Sequence, residues 1–133
     1  MSFSLSRDAN DRYMGRYSDK VASAIVSFAG IESGMRVLDV GCGPGALTEV
    51  LSNFLGEESV AAVDPSEAFI AACKDRVPGA EVQKASAGSL PWPDGTFDAV
   101  VSQLVLNFLP DADAGVEEMC RVTGPGGVVA CCT

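Results

Sequence analysis

The stretch Val37–Gly45, which reads Val-Leu-Asp-Val-Gly-Cys-Gly-Pro-Gly, constrains the fold of this chain more than any other segment. Three apolar residues flank Asp39, as in a strand that is covered on both faces. Gly41, Gly43 and Gly45 then leave out the Cβ atoms that would hold a ligand away from the backbone. Apolar residues at helical spacing follow the glycines. A strand, a glycine-rich turn and a helix predict the first half of a βαβ unit with a ligand on the turn.

Predicted strands and helices alternate along the rest of the chain. Further strands are predicted at Val60–Val63, Glu81–Lys84, Phe97–Gln103 and Val128–Cys132, with a loop at 85–95 and a turn at Gly124–Gly127. One helix is predicted from Met14, with Ser18 as N-cap and Gly30 as stop, and a second from Ala46 through Leu55. A third is predicted from Pro65-Ser66, with an apolar side of Phe69, Ile70, Cys73 and Val77. A fourth is predicted from Asp111, and it carries the apolar residues Val116, Met119, Cys120 and Val122. This order predicts an α/β fold. We expect a Rossmann-like, doubly wound parallel sheet of about five strands in the order 3-2-1-4-5, with helices on both faces.

Length and composition favour one globular domain. The chain has 133 residues, of which 47% are hydrophobic and 20% are charged. We expect a single domain spanning residues 1–133, in which residues 1–34 form a helical lead-in to the first strand.

The charge balance and the missing residue types argue against several functions. The formal net charge is −9, from 9 basic and 18 acidic residues, and no basic patch occurs that would attract nucleic acid. The sequence has no histidine, which excludes histidine-based catalysis and argues against a metal site. Apolar runs stay below the ~18 residues of a membrane span, so no membrane partner is expected. Five cysteines without a CxxC pair predict reduced, mostly buried thiols in a cytoplasmic protein.

Polar residues stand at the carboxyl ends of the predicted strands, where a parallel sheet binds its ligands. Asp64 closes the second strand, and Ser86 and Gln103 follow or end the third and fourth strands. Asp64 lies 25 residues beyond Asp39, which fits one helix and one strand. A carboxylate at this position accepts hydrogen bonds from both hydroxyls of a ribose. Asp39 needs a polar partner, because burying an unpaired carboxylate is costly.

This spacing leaves the nucleoside ligand open. Gly41, Gly43 and Ala46 satisfy the G-x-G-x-x-A form of the dinucleotide fingerprint, so an NAD-dependent oxidoreductase domain is one hypothesis. Asp39 inside the strand and Pro44 inside the turn argue against it.

The residues of Val37–Gly45 resemble the signature motif of class I S-adenosylmethionine-dependent methyltransferases. The resemblance continues through Val63–Ser66, Leu90–Asp98 and Arg121–Gly127, and so covers nearly the whole chain. Residues Tyr13–Ser18 also resemble the lead-in of a small-molecule branch of this family, close to the ubiquinone- and menaquinone-biosynthesis type. The resemblance implies S-adenosylmethionine as the cofactor and a small-molecule methyl acceptor.

The same resemblance implies a role for each matching residue of this sequence. It places the methionine moiety of the cofactor at Asp39, Gly41, Cys42 and Gly43, and Gly45 completes the turn. It places the ribose at Asp64 and the adenine near Pro65, Ser86 and Ala87. The reactive end of the cofactor then lies beside Gln103. In an in-line methyl transfer the cofactor supplies the electrophile, so no catalytic side chain is nominated.

Two departures from the family pattern affect these expectations. Ser86 stands where the family commonly has an acidic residue that accepts from the adenine amino group, and a hydroxyl accepts more weakly. The family's sheet usually has seven strands, whereas only five are predicted here, which suggests a C-terminally truncated domain. A bare fifth strand also suggests a homodimer through this edge. A cofactor-binding module without turnover therefore stays an alternative to an active enzyme.

Overall fold

The computed structural model describes residues 16–103 and 112–132 of the chain. Its helices are α1 (Arg16–Ala29), α2 (Ala46–Leu55), α3 (Glu67–Arg76) and α4 (Ala112–Val122). Its strands are β1 (Val37–Val40), β2 (Val60–Asp64), β3 (Glu81–Lys84), β4 (Phe97–Gln103) and β5 (Thr123–Cys132). A 3₁₀ turn, Glu57–Ser59, precedes β2 and was not predicted.

The five strands form one parallel sheet in the order β3-β2-β1-β4-β5. Val37 of β1 lies opposite Val60 of β2 on one side and opposite Ala99 of β4 on the other. The predicted α/β fold and strand order are therefore confirmed. Because β1 and β4 are neighbours in the sheet but distant in sequence, the strand order reverses beside the glycine turn that follows β1.

Helices cover both faces of the sheet, as predicted. On one face, Ala22 and Ile25 of α1 and Leu51 of α2 pack against the central strands, and α3 covers the neighbouring part of β2. The opposite face holds Met119 of α4 together with Trp92 from the segment between β3 and β4. The core is thus split into two apolar layers by a sheet whose central strands are buried.

The segment 85–95 has no regular secondary structure, as its prolines predict, yet hydrogen bonds hold it to α4. The Leu90 N–H donates to Glu118 Oε1 at 2.9 Å, and Arg121 Nη2 donates to the Leu90 carbonyl at 3.0 Å. Arg121 also pairs with Asp94 at 2.8 Å. This arrangement fixes the segment that follows Ser86 and Ala87.

Glycine and serine end or begin helices where the sequence indicates, with one exception. Gly30, at φ 67°, ends α1 in a Schellman motif, because its N–H donates to Ser27 and that of Ile31 to Val26. Ser66 caps α3 by accepting the Phe69 N–H at 3.3 Å. The Ser18 cap is wrong, because α1 already begins at Arg16. The predicted start at Met14 and the Asp111 cap lie outside the described residues.

Several apolar helix positions face solvent instead of the core. Phe28 of α1 is 87% exposed and Phe54 of α2 is 52% exposed. On α4, Met119 and Val122 are buried as predicted, whereas Val116 and Cys120 are exposed. Cys131 is exposed as well, so the expectation of mostly buried thiols holds only for Cys42 and Cys73 among the cysteines whose side chains are described.

Strand β5 begins earlier than predicted. Thr123 already pairs with Phe97, and the register then jumps so that Ala99 pairs with Val128. The residues Gly124–Gly127, predicted as a turn, form an irregularity inside the strand, with Gly126 at φ 78°. The predicted turn is therefore wrong, because these residues lie within β5, whose pairing with β4 no local pattern in the sequence specifies.

Candidate functional site

Asp39 is buried in the middle of the sheet and has one polar partner. Its side chain is 1% exposed, and Thr48 of α2 donates a hydrogen bond from Oγ1 to Asp39 Oδ2 at 2.7 Å. Burial raises the pKa of Asp39 to about 7, with a smaller rise from Asp64, while the Thr48 hydrogen bond lowers it. The partner that the sequence required for Asp39 is therefore Thr48.

Asp64 ends β2 and connects the two chain segments that follow β1 and β2. Its Oδ2 accepts the N–H of Gly43 at 3.0 Å, and its Oδ1 accepts the N–H of Ser66 at 2.8 Å. Burial raises the pKa of Asp64, and the two amide hydrogen bonds lower it in part. A carboxylate offers about four acceptor positions, so two remain for a ligand.

The glycine turn is anchored to β2 through its backbone. The N–H groups of Gly41 and Cys42 both donate to the carbonyl of Val63, at 2.8 and 2.9 Å. Together with the Asp64 contact to Gly43, these bonds fix three successive residues of the turn. The turn is therefore preorganised at the carboxyl end of the sheet.

The glycines at 43 and 45 have different physical roles. A Cβ on Gly43, at φ 55°, would meet no atom within 4 Å, so this side of the turn is open. A Cβ on Gly45, at φ 103°, would lie 3.0 Å from Cys73 Sγ. Packing against α3 and the positive φ thus both require glycine at 45, and the assignment of Gly45 to ligand binding stays a prediction.

The remaining predicted site residues lie around this edge of the sheet. Pro65 follows Asp64 and is exposed, and Gln103 is the half-buried last residue of β4. Ser86 is exposed, and its Oγ accepts the Gly88 N–H at 3.2 Å, which leaves the hydroxyl proton free to be donated. Ala87 is buried in the apolar layer beneath it.

Sequence reasoning missed two residues that the fold brings to the site. Thr48 is a polar residue within α2, nine residues after Asp39. This spacing was the only feature of the sequence that could have suggested Thr48 as the hydrogen-bond partner of Asp39. Cys73 was assigned only to the apolar side of α3, although its sulfur lies beneath Gly45. Neither contact follows from local pattern, because each depends on how a helix is seated on the sheet.

Among residues 16–103 and 112–132, no group of three or more metal-ligating side chains is arranged to hold a metal ion. Within the same residues no helix has the length and apolar content to cross a membrane.

The reversed strand order, the glycine turn after β1 and the acidic residue closing β2 define a Rossmann-like α/β domain. A family model described as "Methyltransferase domain" matches residues 38–131. The chain belongs to this methyltransferase family, which confirms the resemblance to class I methyltransferases.

Two curated relatives illustrate the sequence similarity. A demethylmenaquinone methyltransferase from Shouchella clausii is 38% identical over 107 residues, which cover 76% of this chain and 46% of that protein. An uncharacterized methyltransferase from Schizosaccharomyces pombe is 36% identical over 107 residues, which cover 72% of this chain and 38% of that protein. The chain thus spans less than half the length of these relatives.

Two solved structures illustrate the similarity in fold. An S-adenosylmethionine-dependent methyltransferase from Aquifex aeolicus is 29% identical, with a TM-score of 0.71 over 78% of this chain and 58% of that one. The cyclase SpnF is 26% identical, with a TM-score of 0.76 over 84% of this chain and 43% of that one. The second is named for a reaction other than methyl transfer.

Proposed function

We propose that this chain binds S-adenosylmethionine at the carboxyl end of its sheet and takes part in methyl transfer to a small-molecule acceptor. The observation that carries the proposal is the pairing of Asp64 with the glycine turn. The carboxylate that would bind the ribose diol also holds the N–H of Gly43, so the ribose and methionine subsites share one anchor.

The residues present fit this cofactor. The open side of Gly43 leaves room for the ligand against the backbone, and Asp64 keeps two acceptor positions for the ribose hydroxyls. The buried Asp39 carboxyl lies behind the turn, where its negative form would favour a positively charged methionine moiety. A net charge of −9 also attracts a cationic cofactor over longer distances.

Ser86, Ala87 and Pro65 would contact the adenine in this proposal, and Gln103 would lie beside the reactive end. Bound S-adenosylmethionine supplies the electrophilic methyl group, and this chain's residues orient it and exclude water. Cys42 contributes its backbone N–H to the anchoring of the turn, through Val63.

The names of three relatives support the proposed acceptor class. The demethylmenaquinone methyltransferase from Shouchella clausii, the trans-aconitate 2-methyltransferase from Variovorax paradoxus and the fatty-acid O-methyltransferase from Mycolicibacterium smegmatis are named for small molecules. We extend this to a small-molecule acceptor for the present chain, acting as one domain in the cytoplasm. The four thiols that the structure shows as free support a reducing compartment.

A second candidate is a cofactor-binding module without methyl transfer. The named cyclase SpnF, with its TM-score of 0.76, supports it because this fold also carries other chemistry. The NAD-dependent oxidoreductase hypothesis has no comparable support, since the family match concerns methyltransferases.

Two measurements separate these functions. Calorimetric titration with S-adenosylhomocysteine and, separately, with NAD is expected to show binding of the first ligand alone; binding of NAD alone would refute the proposal. Incubation with S-adenosylmethionine carrying a labelled methyl group and a panel of quinol, carboxylic acid and phenol acceptors then tests turnover. Binding without label transfer to any acceptor would favour the module.

A further inference from the structure

Two cysteines from different elements lie beneath the glycine turn. Cys42 belongs to the turn itself, Cys73 belongs to α3, and both side chains are buried in one apolar cluster with Ala62 and Ile70. Cys73 Sγ would lie 3.0 Å from a Cβ on Gly45, which places this sulfur against the underside of the turn. The Cys42 thiol donates to the Gly43 carbonyl oxygen at 3.5 Å, and Cys73 is its neighbour within this cluster.

The surroundings distinguish the two thiols. The hydrogen bond to Cys73 and burial raise the pKa of Cys42. The same hydrogen bond lowers the pKa of Cys73. Burial and the charge of Asp39 oppose this lowering, whereas a hydrogen bond to Thr48 and the charge of Arg76 add to it. Cys73 is therefore favoured as the nucleophile and Cys42 as the proton donor.

We propose that Cys42 and Cys73 form a redox-sensitive pair, which closes to an intramolecular disulfide on exposure to hydrogen peroxide and thereby weakens cofactor binding. The oxidant must be small, because Cys73 is 0% and Cys42 7% exposed. The effect of the disulfide on cofactor affinity rests on the proposed function, whereas the formation of the disulfide does not.

The chemistry balances with one peroxide. The Cys73 thiolate attacks one peroxide oxygen and breaks the O–O bond, which gives a sulfenic acid at Cys73 and hydroxide. The hydroxide takes up the proton that the Cys73 thiol had released, which gives the first water. The Cys42 thiol then attacks the Cys73 sulfur and displaces the second water. The two thiols lose two electrons, and hydrogen peroxide is reduced to two molecules of water.

The bond would act on the cofactor site through the position of the turn. A disulfide requires an S–S distance of about 2 Å, shorter than any contact between separate sulfur atoms. Cys73 is fixed within α3, so Cys42 must move toward it and shift the neighbouring residues. The hydrogen bond from the Gly43 N–H to Asp64 would then be distorted.

The test uses a variant of the whole 133-residue chain in which Cys120, Cys131 and Cys132 are replaced by serine. After peroxide treatment and blocking of free thiols, the intact mass is expected to show the loss of two hydrogen atoms. Digestion with a protease that cuts after glutamate, at Glu49 and Glu67, separates the two cysteines, so a disulfide-linked peptide pair identifies the bond.

Affinity for S-adenosylhomocysteine is measured on the same samples. Oxidation is expected to weaken binding by about tenfold or more, and dithiothreitol is expected to restore it. In the matched variant that also carries Cys73→Ala, peroxide should cause neither the mass loss nor the change in affinity.

Two results would overturn the inference: no linked peptide after oxidation, or a linked peptide with unchanged affinity. Failure of the proposed function is distinct, because it would appear as no S-adenosylhomocysteine binding in the reduced protein, whatever the mass spectrum shows.

Discussion

At the residue scale, Asp64 combines two tasks that a single substitution would disturb together. Its carboxylate holds the backbone of Gly43 and Ser66, and in our proposal it also binds the ribose. The organisation of the glycine turn therefore depends on the same side chain as ligand recognition.

Asp64→Ala is expected to weaken S-adenosylhomocysteine binding by about 1.5 to 3 kcal/mol, the scale of a hydrogen bond to a charged group. Calorimetry measures the change. Ser66→Ala is the control, because it removes only the α3 cap and should lower stability without a comparable loss of affinity. Unchanged affinity in Asp64→Ala would refute the ribose assignment.

Asp39 predicts a pH dependence of stability. Its pKa rises to about 7 in the folded protein, so the fold favours the protonated form. The contribution of the protonated Asp39 carboxyl to the free energy of unfolding is fully present below the unfolded pKa of 3.8 and is lost as the pH rises through the folded pKa of about 7. The loss is at most about 4 kcal/mol, since one pKa unit corresponds to about 1.4 kcal/mol.

Urea unfolding at pH 5 and pH 8 tests this dependence. Asp39→Asn should be less sensitive to pH than the natural sequence, because position 39 then carries no titrating group. Asp75→Asn, which removes an exposed carboxylate from α3, is the control and should leave the pH dependence in place. Equal pH dependence in the Asp39 variant and the natural sequence would contradict the prediction.

Ser86 predicts a gain of affinity. A carboxylate accepts a hydrogen bond from an amino group more strongly than a hydroxyl does, so Ser86→Asp should tighten S-adenosylhomocysteine binding by about three- to tenfold. Ser89→Asp adds the same charge to an exposed position of the same loop and serves as control. An equal gain in both variants would indicate a general charge effect and refute the adenine contact.

At the scale of elements, the turn between β1 and α2 has one open side and one packed side. Gly43 borders open space, whereas Gly45 lies against α3. The two glycines therefore allow the contribution of the turn to binding to be separated from its contribution to folding.

Gly45→Ala is expected to destabilise the fold by about 2 kcal/mol or more, because the added Cβ contacts Cys73 Sγ at a φ of 103°. Gly43→Ala should cost about 1 kcal/mol of backbone strain but weaken ligand binding more strongly. Urea unfolding and calorimetry on both variants measure the two effects. A Gly43 variant with natural affinity would contradict the open ligand face.

At the scale of the whole molecule, β5 is one of the two edge strands in the part of the sheet that the structure describes. Within the described residues, β5 pairs with β4 alone, and Val128 is 36% exposed. Unpaired backbone groups on such an edge favour pairing with another chain. We propose a homodimer in which two β5 strands pair about a two-fold axis.

Sedimentation across a range of concentrations tests this association. Val128→Lys is expected to shift the chain toward the monomer, because a charged side chain on an edge strand opposes pairing. Val116→Lys on α4 is the matched control, since Val116 is 37% exposed but lies away from the strand edge. A monomer at all concentrations would refute the dimer.

Local pattern was sufficient for most of the architecture. Strands with apolar runs, helices with apolar stripes and glycine-rich turns are encoded by near neighbours in sequence, and the alternation of strands and helices predicts a parallel sheet. The strand order was expected as that of the Rossmann-like type. The position of Asp64 at the carboxyl edge of the sheet follows from the same alternation. These features depend on spacing along the chain, which the sequence contains in full.

Other features were decided by tertiary structure alone. The Thr48 partner of Asp39 depends on how α2 is seated on the sheet, and the burial of Cys73 beneath Gly45 depends in the same way on α3. Phe28 and Phe54 are apolar yet exposed, because no described element covers that side of their helices. Contacts between distant segments are set by the rotation and packing of whole elements, which no local pattern in the sequence specifies.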